Sequence, residues 1–347
     1  MMYFADAELI KLVAHKIGNK HEGGELLIAN NTLEPDEDLQ ELLKTYFFSS
    51  FKDPIYYQFT AEDGLEANVV YKLAESIFEQ NENLFDASKE IASHLFDQSY
   101  HPNIKEGELY IALFSNCVVD DEVVEAIGIF KSENKTPFLK VWSKGSDIEL
   151  AHDTGININK LDKGCLIFNT EKDLGYKICM IDIAGKSKEA GYWKDDFLQL
   201  QMRKDDFYQT QNYIQICKGF VKNVFNEKNG IEKADQIDML NKSAAYFNGN
   251  EDFDIQHFEE SVIENDEVIA AFNEYKTRVA EENDLEIKNQ FGISPTAVKK
   301  SRAQFKSVLK LDKNFHIYIH GDRTRIVKGF DQSTGLHYYQ IYYEQEN

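Results

Sequence analysis

The chain of 347 residues has few cysteines and no pattern that would tie them together. Its four cysteines, Cys117, Cys165, Cys179 and Cys217, are widely spaced, and none belongs to a CxxC pair. Closely paired cysteines mark structural zinc sites, and dense cysteines mark small secreted domains held by disulfides. The sequence therefore indicates neither a zinc site nor a disulfide framework, and we expect buried, reduced thiols.

Long apolar runs and the short motifs of common enzymes are also lacking. No stretch approaches the roughly 18–20 apolar residues that cross a bilayer, and the N-terminus lacks the residue order of a signal peptide. The sequence contains no GxxxxGK phosphate loop, no GxGxxG and no GxSxG. We expect a cytoplasmic protein with no membrane partner, no cofactor, no bound metal and no catalytic residue.

Basic residues are in short supply. The chain has 38 Lys and Arg against 60 Asp and Glu, which gives a net charge of -22 and a pI near 4.8. Most of such a surface repels phosphate, so the protein is not of the class that coats nucleic acid by its overall charge. Any contact with DNA must be confined to one patch.

Apolar residues are plentiful enough for sizeable cores, and their spacing predicts an N-terminal α+β domain. The composition is 42% apolar, with 24 Phe and 18 Tyr. Residues three and four apart are apolar in three early segments, which predicts helices within 36–51, 65–80 and 86–98. Short apolar runs bounded by polar turns then predict an antiparallel meander. Its strands are expected at 109–114, 126–130, 138–142, 164–168 and 176–183.

A polar stretch with glycine at both ends, GKSKEAG at 185–191, is typical of a linker. We therefore divide the chain into an N-terminal domain, 1–188, and a C-terminal domain, 189–347. Helical periodicity returns in the second domain, and from Leu309 it gives way to alternation. The expected fold class is α+β, with helices beside an antiparallel sheet, then a mainly helical domain that ends in a β-hairpin or meander. The helices of that domain are expected at 207–224, 231–247, 254–263 and 266–289.

The basic residues that the chain does have are concentrated near its C-terminus. Residues 299–328 contain only two acids, so this segment carries +7 while the rest of the chain carries -29. A helix that starts at Ser294-Pro295 would place four of the cations on one face, as a ridge about 16 Å long. The ridge consists of Lys299, Arg302, Lys306 and Lys310, and Lys300 lies beside it.

Alternation beyond Leu309 predicts a strand, and Gly321-Asp322 predicts a two-residue hairpin turn. In that register Tyr318 pairs with Arg325, and both share an exposed face. His320 would pair with Arg323 and His316 with Val327, while Ile317 points to the core. Arginine beside tyrosine and histidine on an open sheet suits phosphate and sugar contacts.

Three alternatives accompany this interpretation of the basic segment. The cations pair internally, or in a partner subunit, with the acidic stretch 251–286, which has thirteen Asp/Glu against Lys276 and Arg278. FGISPTAVKK at 291–300 has the turn chemistry of a helix-turn-helix, although a simple Ser294 N-cap explains it equally well. Acidic clusters such as Asp195-Asp196 would hold Mg²⁺ in a nuclease, although adjacent acids carry little information in so acidic a chain.

Four stretches together resemble the bacterial nucleoid-associated protein family of the NdpA/YejK type, most closely its Bacteroidetes-type branch. The similarity covers most of the chain from about Tyr100 onward and, more weakly, the N-terminal third. The stretches are YHPNIKEGELY at 100–110, GIFKSE at 128–133, YWKDDFL at 192–198 and FKSVLKLDKNFHIYIHGDR at 305–323.

The resemblance implies a non-enzymatic protein of the bacterial nucleoid that binds double-stranded DNA. With the charge pattern, it leads us to expect that the basic C-terminal patch contacts phosphates. Other nucleoid proteins and a second copy of the chain are further partners under this interpretation. The alternatives are a scaffold protein and a metal-dependent nuclease. The residues expected to bind DNA are Lys299, Lys300, Arg302, Lys306, Lys310, Tyr318, Arg323, Arg325 and Lys328.

Overall fold

The computed structural model describes residues 2–52, 55–182, 191–301, 308–318 and 323–345. It divides into two compact units, Met1–Arg203 and Lys204–Asn347. The domain boundary expected at 188 lies in 183–190, outside the described residues. Trp193, Phe197 and Leu200 pack in the core of the first unit, which is why that unit extends to Arg203. The α+β class with antiparallel sheets and C-terminal strand pairs is confirmed.

The first unit combines three helices, a large antiparallel sheet and a separate ribbon. The helices are α1 (Glu37–Phe48), α2 (Val69–Glu79) and α3 (Leu84–Gln98), and a π-helical turn spans Tyr192–Phe197. The strands are β1 (Met2–Tyr3), β2 (Glu8–Ile17), β3 (Leu26–Leu27), β4 (Tyr56–Phe59), β5 (Gly107–Val119), β6 (Glu122–Ser132), β7 (Thr136–Lys144), β8 (Asp147–Gly155), β9 (Lys163–Phe168), β10 (Lys177–Asp182) and β11 (Leu200–Met202).

The order of the main sheet is β11-β4-β10-β9-β6-β5-β2-β3, with β1 paired to β5. The predicted meander is confirmed as β5-β6-β9-β10, and all three predicted helices form. Strand β2 was not predicted, because a register shift between Leu9 and Lys11 interrupts its pattern. Strands β4 and β11 were not predicted either, because they are too short to show a period.

Both faces of the sheet are covered, because successive side chains of its strands point to opposite sides. Ile111 and Leu113 pack with α2 and α3 in one core. Phe114 packs in a second core, where the rings of Phe47 and Phe130 stack at 4.2 Å. All four cysteines are buried thiols outside any disulfide, and burial raises the pKa of Cys117 to about 12. The thiols are therefore packed, as expected.

Two buried lysines lie directly opposite each other on neighbouring strands. Lys131 of β6 is the register partner of Lys163 of β9, and their side chains are 0% and 2% exposed. Lys131 Nζ lies 2.9 Å from Glu133 Oε1 and donates to the carbonyl oxygen of Lys105 at 2.7 Å. The hydroxyl of Tyr192 also donates to Glu133 Oε1 at 3.0 Å. Burial lowers the pKa of Lys131 and raises that of Tyr192.

The second lysine has its own acidic partner. Lys163 Nζ lies 2.7 Å from Asp182 Oδ1, at the end of β10. Asp162, which is 6% exposed, accepts hydrogen bonds from the backbone N–H groups of Glu133 and Asn134 at 2.8 and 2.9 Å. Three carboxylates thus accompany the two buried ammonium groups. We name Lys131, Glu133, Asp162, Lys163, Asp182 and Tyr192 the buried charge network.

The strands β7 and β8 form a two-stranded ribbon outside the main sheet. One face carries Leu139, Val141, Ile148 and Leu150, which are 62–73% exposed. The opposite face carries ion pairs, including Lys140 with Asp153 at 2.6 Å and Lys144 with Glu149 at 2.8 Å. The predicted strand at 138–142 therefore exists, but it does not join the meander.

The second unit is built on helices and small strand pairs. Its helices are α4 (Asp206–Asn223), α5 (Lys233–Gly249), α6 (Ile255–Phe258), which continues as a π-helical turn Glu259–Ile263, α7 (Asp266–Glu282) and α8 (Pro295–Ser301). Its strands are β12 (Asp252–Asp254), β13 (Gln290–Gly292), β14 (Val308–Leu311), β15 (Phe315–Tyr318), β16 (Ile326–Asp331) and β17 (Leu336–Ile341).

Aromatic packing dominates the core of this unit. Phe253 of β12 stacks on Phe291 of β13 at 4.8 Å, and Tyr213 of α4 lies 4.2 Å from the ring of Phe253. A smaller cluster joins Ala234 and Ile237 of α5 to the C-terminal strands. Of the predicted helices, the one expected to reach 289 ends at Glu282. Within the described residues no helix is long and apolar enough to cross a membrane.

Removing one member of the buried charge network tests its importance. We expect Lys131→Met to lower the free energy of unfolding by about 3–5 kcal/mol, because Glu133 is left buried without its counter-charge. The matched control is Lys135→Met, which removes the half-exposed pair with Glu108 and is expected to cost less than about 1 kcal/mol. Urea denaturation of both variants measures the difference. Equal losses would contradict the assignment.

A buried histidine predicts a pH dependence of stability. His15 of β2 accepts a hydrogen bond at Nδ1 from the Ala29 N–H, and its Nε2 lies 3.0 Å from Ser88 Oγ. Burial, aided by Lys89, lowers the pKa of His15 from 6.5 to about 4. Between these values the unfolded chain binds the extra proton, so stability from this group is lost as pH falls from 6.5 to 4. We expect His15→Asn to remove the part of the pH dependence that His15 contributes. Measuring the free energy of unfolding of both proteins at pH 7, 5.5 and 4 tests this. If the free energies of unfolding of wild type and variant differed by the same amount at all three pH values, the prediction would be contradicted.

Candidate nucleic-acid interface

The first cations of the basic segment are held by the short helix α8. Ser294 Oγ accepts from the backbone N–H of Ala297 at 3.3 Å, so the predicted N-cap is confirmed. Ala297 and Val298 are buried, whereas Lys299 and Lys300 are exposed. The helix therefore anchors one side in the core and presents two lysines on the other.

The predicted helical ridge is wrong at Lys310, and the described part of the helix α8 is Pro295–Ser301. Lys310 lies on β14, not on a helix, and Arg302 and Lys306 fall outside the described residues. The physical reason is the alternation that begins at Val308. Leu309 is 3% exposed and packs in one cluster with Ala234 of α5. The alternation of a strand buries Leu309 in this cluster.

The predicted hairpin register is also wrong. Tyr318 pairs with Val308 and His316 with Lys310, because the strand closes into a hairpin around residues 312–314. Asp312 there has a left-handed φ of 51°, as a tight turn requires. The expected turn at Gly321-Asp322 and the residue His320 lie outside the described residues.

The expected partners on the second strand are displaced in the same way. Arg323 and Arg325 form a 3₁₀ turn and are not part of a strand, while Val327 pairs with Gln340 of β17. One part of the prediction is confirmed. Ile317 packs in the small core beside Leu309, and Tyr318 is 63% exposed.

The two arginines differ in how far they are engaged within the protein. Arg323 Nη2 lies 2.7 Å from Glu232 Oε2 and its Nε lies 2.6 Å from Asp235 Oδ1. These acids belong to the start of α5 and not to 251–286, the stretch proposed for internal pairing. Arg325 Nη2 lies 2.7 Å from Glu344 Oε1, and its side chain is 47% exposed.

Helix α5 is the common support of the basic segment. It contacts α8, β14 and the Arg323–Arg325 turn. Exposed aromatic rings, including Phe315 and Tyr318, accompany the cations on the hairpins. The exposed cations of the segment, among the described residues, are Lys299, Lys300, Lys313, Arg325 and Lys328.

The helix-turn-helix expected at 291–300 does not form. Phe291 and Gly292 lie on β13, which pairs with β12, so a strand stands where the turn was expected. The described part of the helix α8, Pro295–Ser301, is separated from that strand by two residues. The glycine of this motif is therefore a strand residue.

A family model described as nucleoid-associated protein YejK matches residues 13–338 of the chain. The chain belongs to this family. A comparison with curated proteins found no match.

Three segments that resemble the nucleoid-associated family meet at the buried charge network. Lys105 lies in the segment 100–110, Lys131 and Glu133 end the segment 128–133, and Tyr192 begins the segment 192–198. Their proximity was not predictable from the sequence, because contacts between residues 26 and 61 positions apart leave no periodic signal. These motifs of the family-like sequence form part of the core of the first unit.

No three His, Cys, Asp or Glu side chains group closely enough to hold a metal ion in the part of the chain that the structure describes. The carboxylates of Asp195 and Asp196 lie in the π-helical turn, where Lys194 Nζ is 2.8 Å from Asp195 Oδ1.

The register of the first C-terminal hairpin predicts opposite effects for two neighbouring residues. We expect Ile317→Ala to lower the free energy of unfolding by about 2 kcal/mol, since it removes apolar contacts with Leu309 and the α5 cluster. Tyr318→Ala, one position along on the exposed face, is expected to change it by less than about 0.5 kcal/mol. Thermal or urea unfolding of the two variants provides the comparison. The reverse order would mean that the strand is shifted by one residue.

Proposed function

We propose that this protein binds double-stranded DNA, without catalysing a reaction, through the exposed cations of residues 299–328. The observation that carries the proposal is the local charge of +7 in a chain of net -22, in a member of the nucleoid-associated family. Lysine and arginine side chains on a surface bind phosphates with little regard to base sequence. The bacterial nucleoid, in the cytoplasm, is the location that follows.

The number of exposed cations in the segment determines how strongly DNA binding should depend on salt. Lys299 and Lys300 stand on α8, and three more cations stand on the C-terminal strands and turns. Arg323 is assigned to internal pairing, so it is left out of the surface. If five phosphates are neutralised, log K falls with log salt at a slope of about -4.5.

A scaffold function is the second candidate, and the ion pairs of Arg323 favour it. They show that part of the basic segment already has acidic partners in α5. A scaffold of this kind would hold acidic protein surfaces instead of DNA. Light scattering of the free protein and of its DNA mixtures reports self-association and stoichiometry.

Neutralising the two lysines of α8 tests the DNA-binding proposal. Lys299→Gln with Lys300→Gln removes two phosphate contacts, so the slope is expected to weaken from about -4.5 to about -2.7. The matched control is Lys72→Gln with Lys160→Gln, which removes the same charge from exposed positions of the first unit. Fluorescence anisotropy of a labelled duplex from 50 to 300 mM salt measures both.

Three results would contradict the DNA-binding proposal. They are a flat salt dependence, no binding of duplex at 50 mM salt, or the same loss in the control as in the α8 variant. Cleavage of the duplex on addition of Mg²⁺ would instead support the nuclease alternative. The scaffold alternative would be favoured if replacing Arg323, and not the α8 lysines, removed DNA binding and also lowered the free energy of unfolding.

A further inference from the structure

A second group of lysines surrounds a cavity at the corner where α4 leads into α5. The cavity has a volume of about 520 Å³. Lys218 and Lys222 line it from α4, Lys228 from the 3₁₀ turn Glu227–Asn229, and Lys233 from the first position of α5. None of these residues belongs to the basic segment 299–328.

The lysines of this cavity have little acidic compensation. Glu227 is the single acid among the lining residues. Lys218, Lys222 and Lys228 form no ion pair with any described residue, and Lys233 Nζ donates to Gln236 Oε1 at 3.2 Å. The lining therefore carries +3 inside a chain of -22. Like charges held together repel one another, and a bound anion relieves that repulsion.

Arg323 helps to keep the lysines uncompensated. The next acids in the sequence are Glu232, the N-cap of α5, and Asp235 in its first turn, and both form ion pairs with Arg323 at 2.7 and 2.6 Å. These carboxylates are therefore engaged with the C-terminal arginine. The cavity stays positively charged because Glu232 and Asp235 pair with Arg323 and not with its lysines.

The turn that carries Lys228 is fixed by its own hydrogen bonds. Asn226 Oδ1 accepts from the backbone N–H of Lys228 at 3.0 Å, and Asn226 Nδ2 donates to the carbonyl of Lys222 at 2.8 Å. Gly230 ends the turn with a φ of 80°. Gln236, which is 4% exposed, braces the other wall by donating to the carbonyl of Ile231 at 3.3 Å. The wall is thus held by hydrogen bonds within the protein.

We propose that this cavity binds a compact polyphosphate, such as the phosphate chain of a nucleoside triphosphate. Lysine ammonium groups are point charges that bind phosphate without a fixed geometry, and four lysines line this one pocket. A volume of 520 Å³ lies in the range of small-molecule sites. A duplex presents its phosphates on a convex surface, so it engages such a cavity less fully than a small anion does.

The proposal is tested with sodium tripolyphosphate as the probe. Isothermal titration calorimetry of the full chain at 50 mM salt is expected to show one site. Lys222→Gln with Lys228→Gln is expected to weaken its affinity at least about tenfold, since two charge-assisted contacts are lost. Lys299→Gln with Lys300→Gln is the matched control and is expected to leave the affinity unchanged. Both lysines of the first pair are exposed, and circular dichroism melting verifies that the variant folds.

A duplex DNA arm separates this proposal from the proposed function. If both hold, the cavity variant binds tripolyphosphate more weakly and DNA as the wild type does, whereas the α8 variant binds DNA with the weaker salt dependence and tripolyphosphate as the wild type does. Absence of tripolyphosphate binding by the wild type overturns the cavity proposal. Tripolyphosphate binding by the cavity variant with the wild-type affinity overturns it as well. If that variant binds only DNA more weakly, the cavity is part of the DNA-binding surface and not a separate polyphosphate site.

Discussion

The first unit depends on the neutralisation of two lysines that its sheet places side by side and buries. Lys131 and Lys163 face each other across β6 and β9, where repulsion in a medium of low polarity is costly. Glu133, Asp182 and Asp162 supply the opposite charge. Tyr192 covers the group, so the π-helical turn is positioned by a polar requirement as well as by the packing of Trp193.

This requirement ties together segments that are remote in sequence. The carbonyl of Lys105 precedes β5, Asp162 precedes β9, and Tyr192 follows the last strand of the meander. Removing one member of a buried ion pair lowers the stability of the fold more than replacing both members by apolar residues does. A different pairing of these strands would separate a buried lysine from its carboxylate, which gives the observed strand order an electrostatic advantage.

Much of the fold was predictable from the sequence, and the failures have physical causes. Helices α1 to α3 have apolar residues on one face and end at polar residues, so periodicity identified them. The strand β2 lies between two cores and contains a bulge, so it shows no simple alternation. The basic segment was predictable as composition, but its geometry depended on a turn at Asp312 and on packing against Ile237 of α5, which a local pattern does not contain.

The lysines of the α4–α5 cavity left no signal for a different reason. Between Lys218 and Lys233 the acids Glu227 and Glu232 are interleaved, and Asp235 follows, so the net charge of the stretch is unremarkable. Within the described residues, Glu232 and Asp235 are engaged by Arg323, some ninety residues away, and this distinguishes them from the lysines that line the cavity. The basic C-terminal segment and the cavity are linked by this one side chain.

The ribbon of β7 and β8 makes the first unit unequal in its local stability. A two-stranded ribbon with solvent on both faces gains little from burial, and such ribbons are marginal by themselves. Asp162 fixes its root through the N–H groups of Glu133 and Asn134, which leaves the main sheet intact when the ribbon opens. We therefore expect the ribbon to open in a separate, low-energy step, with its amide hydrogens exchanging with solvent long before those of β5 and β6.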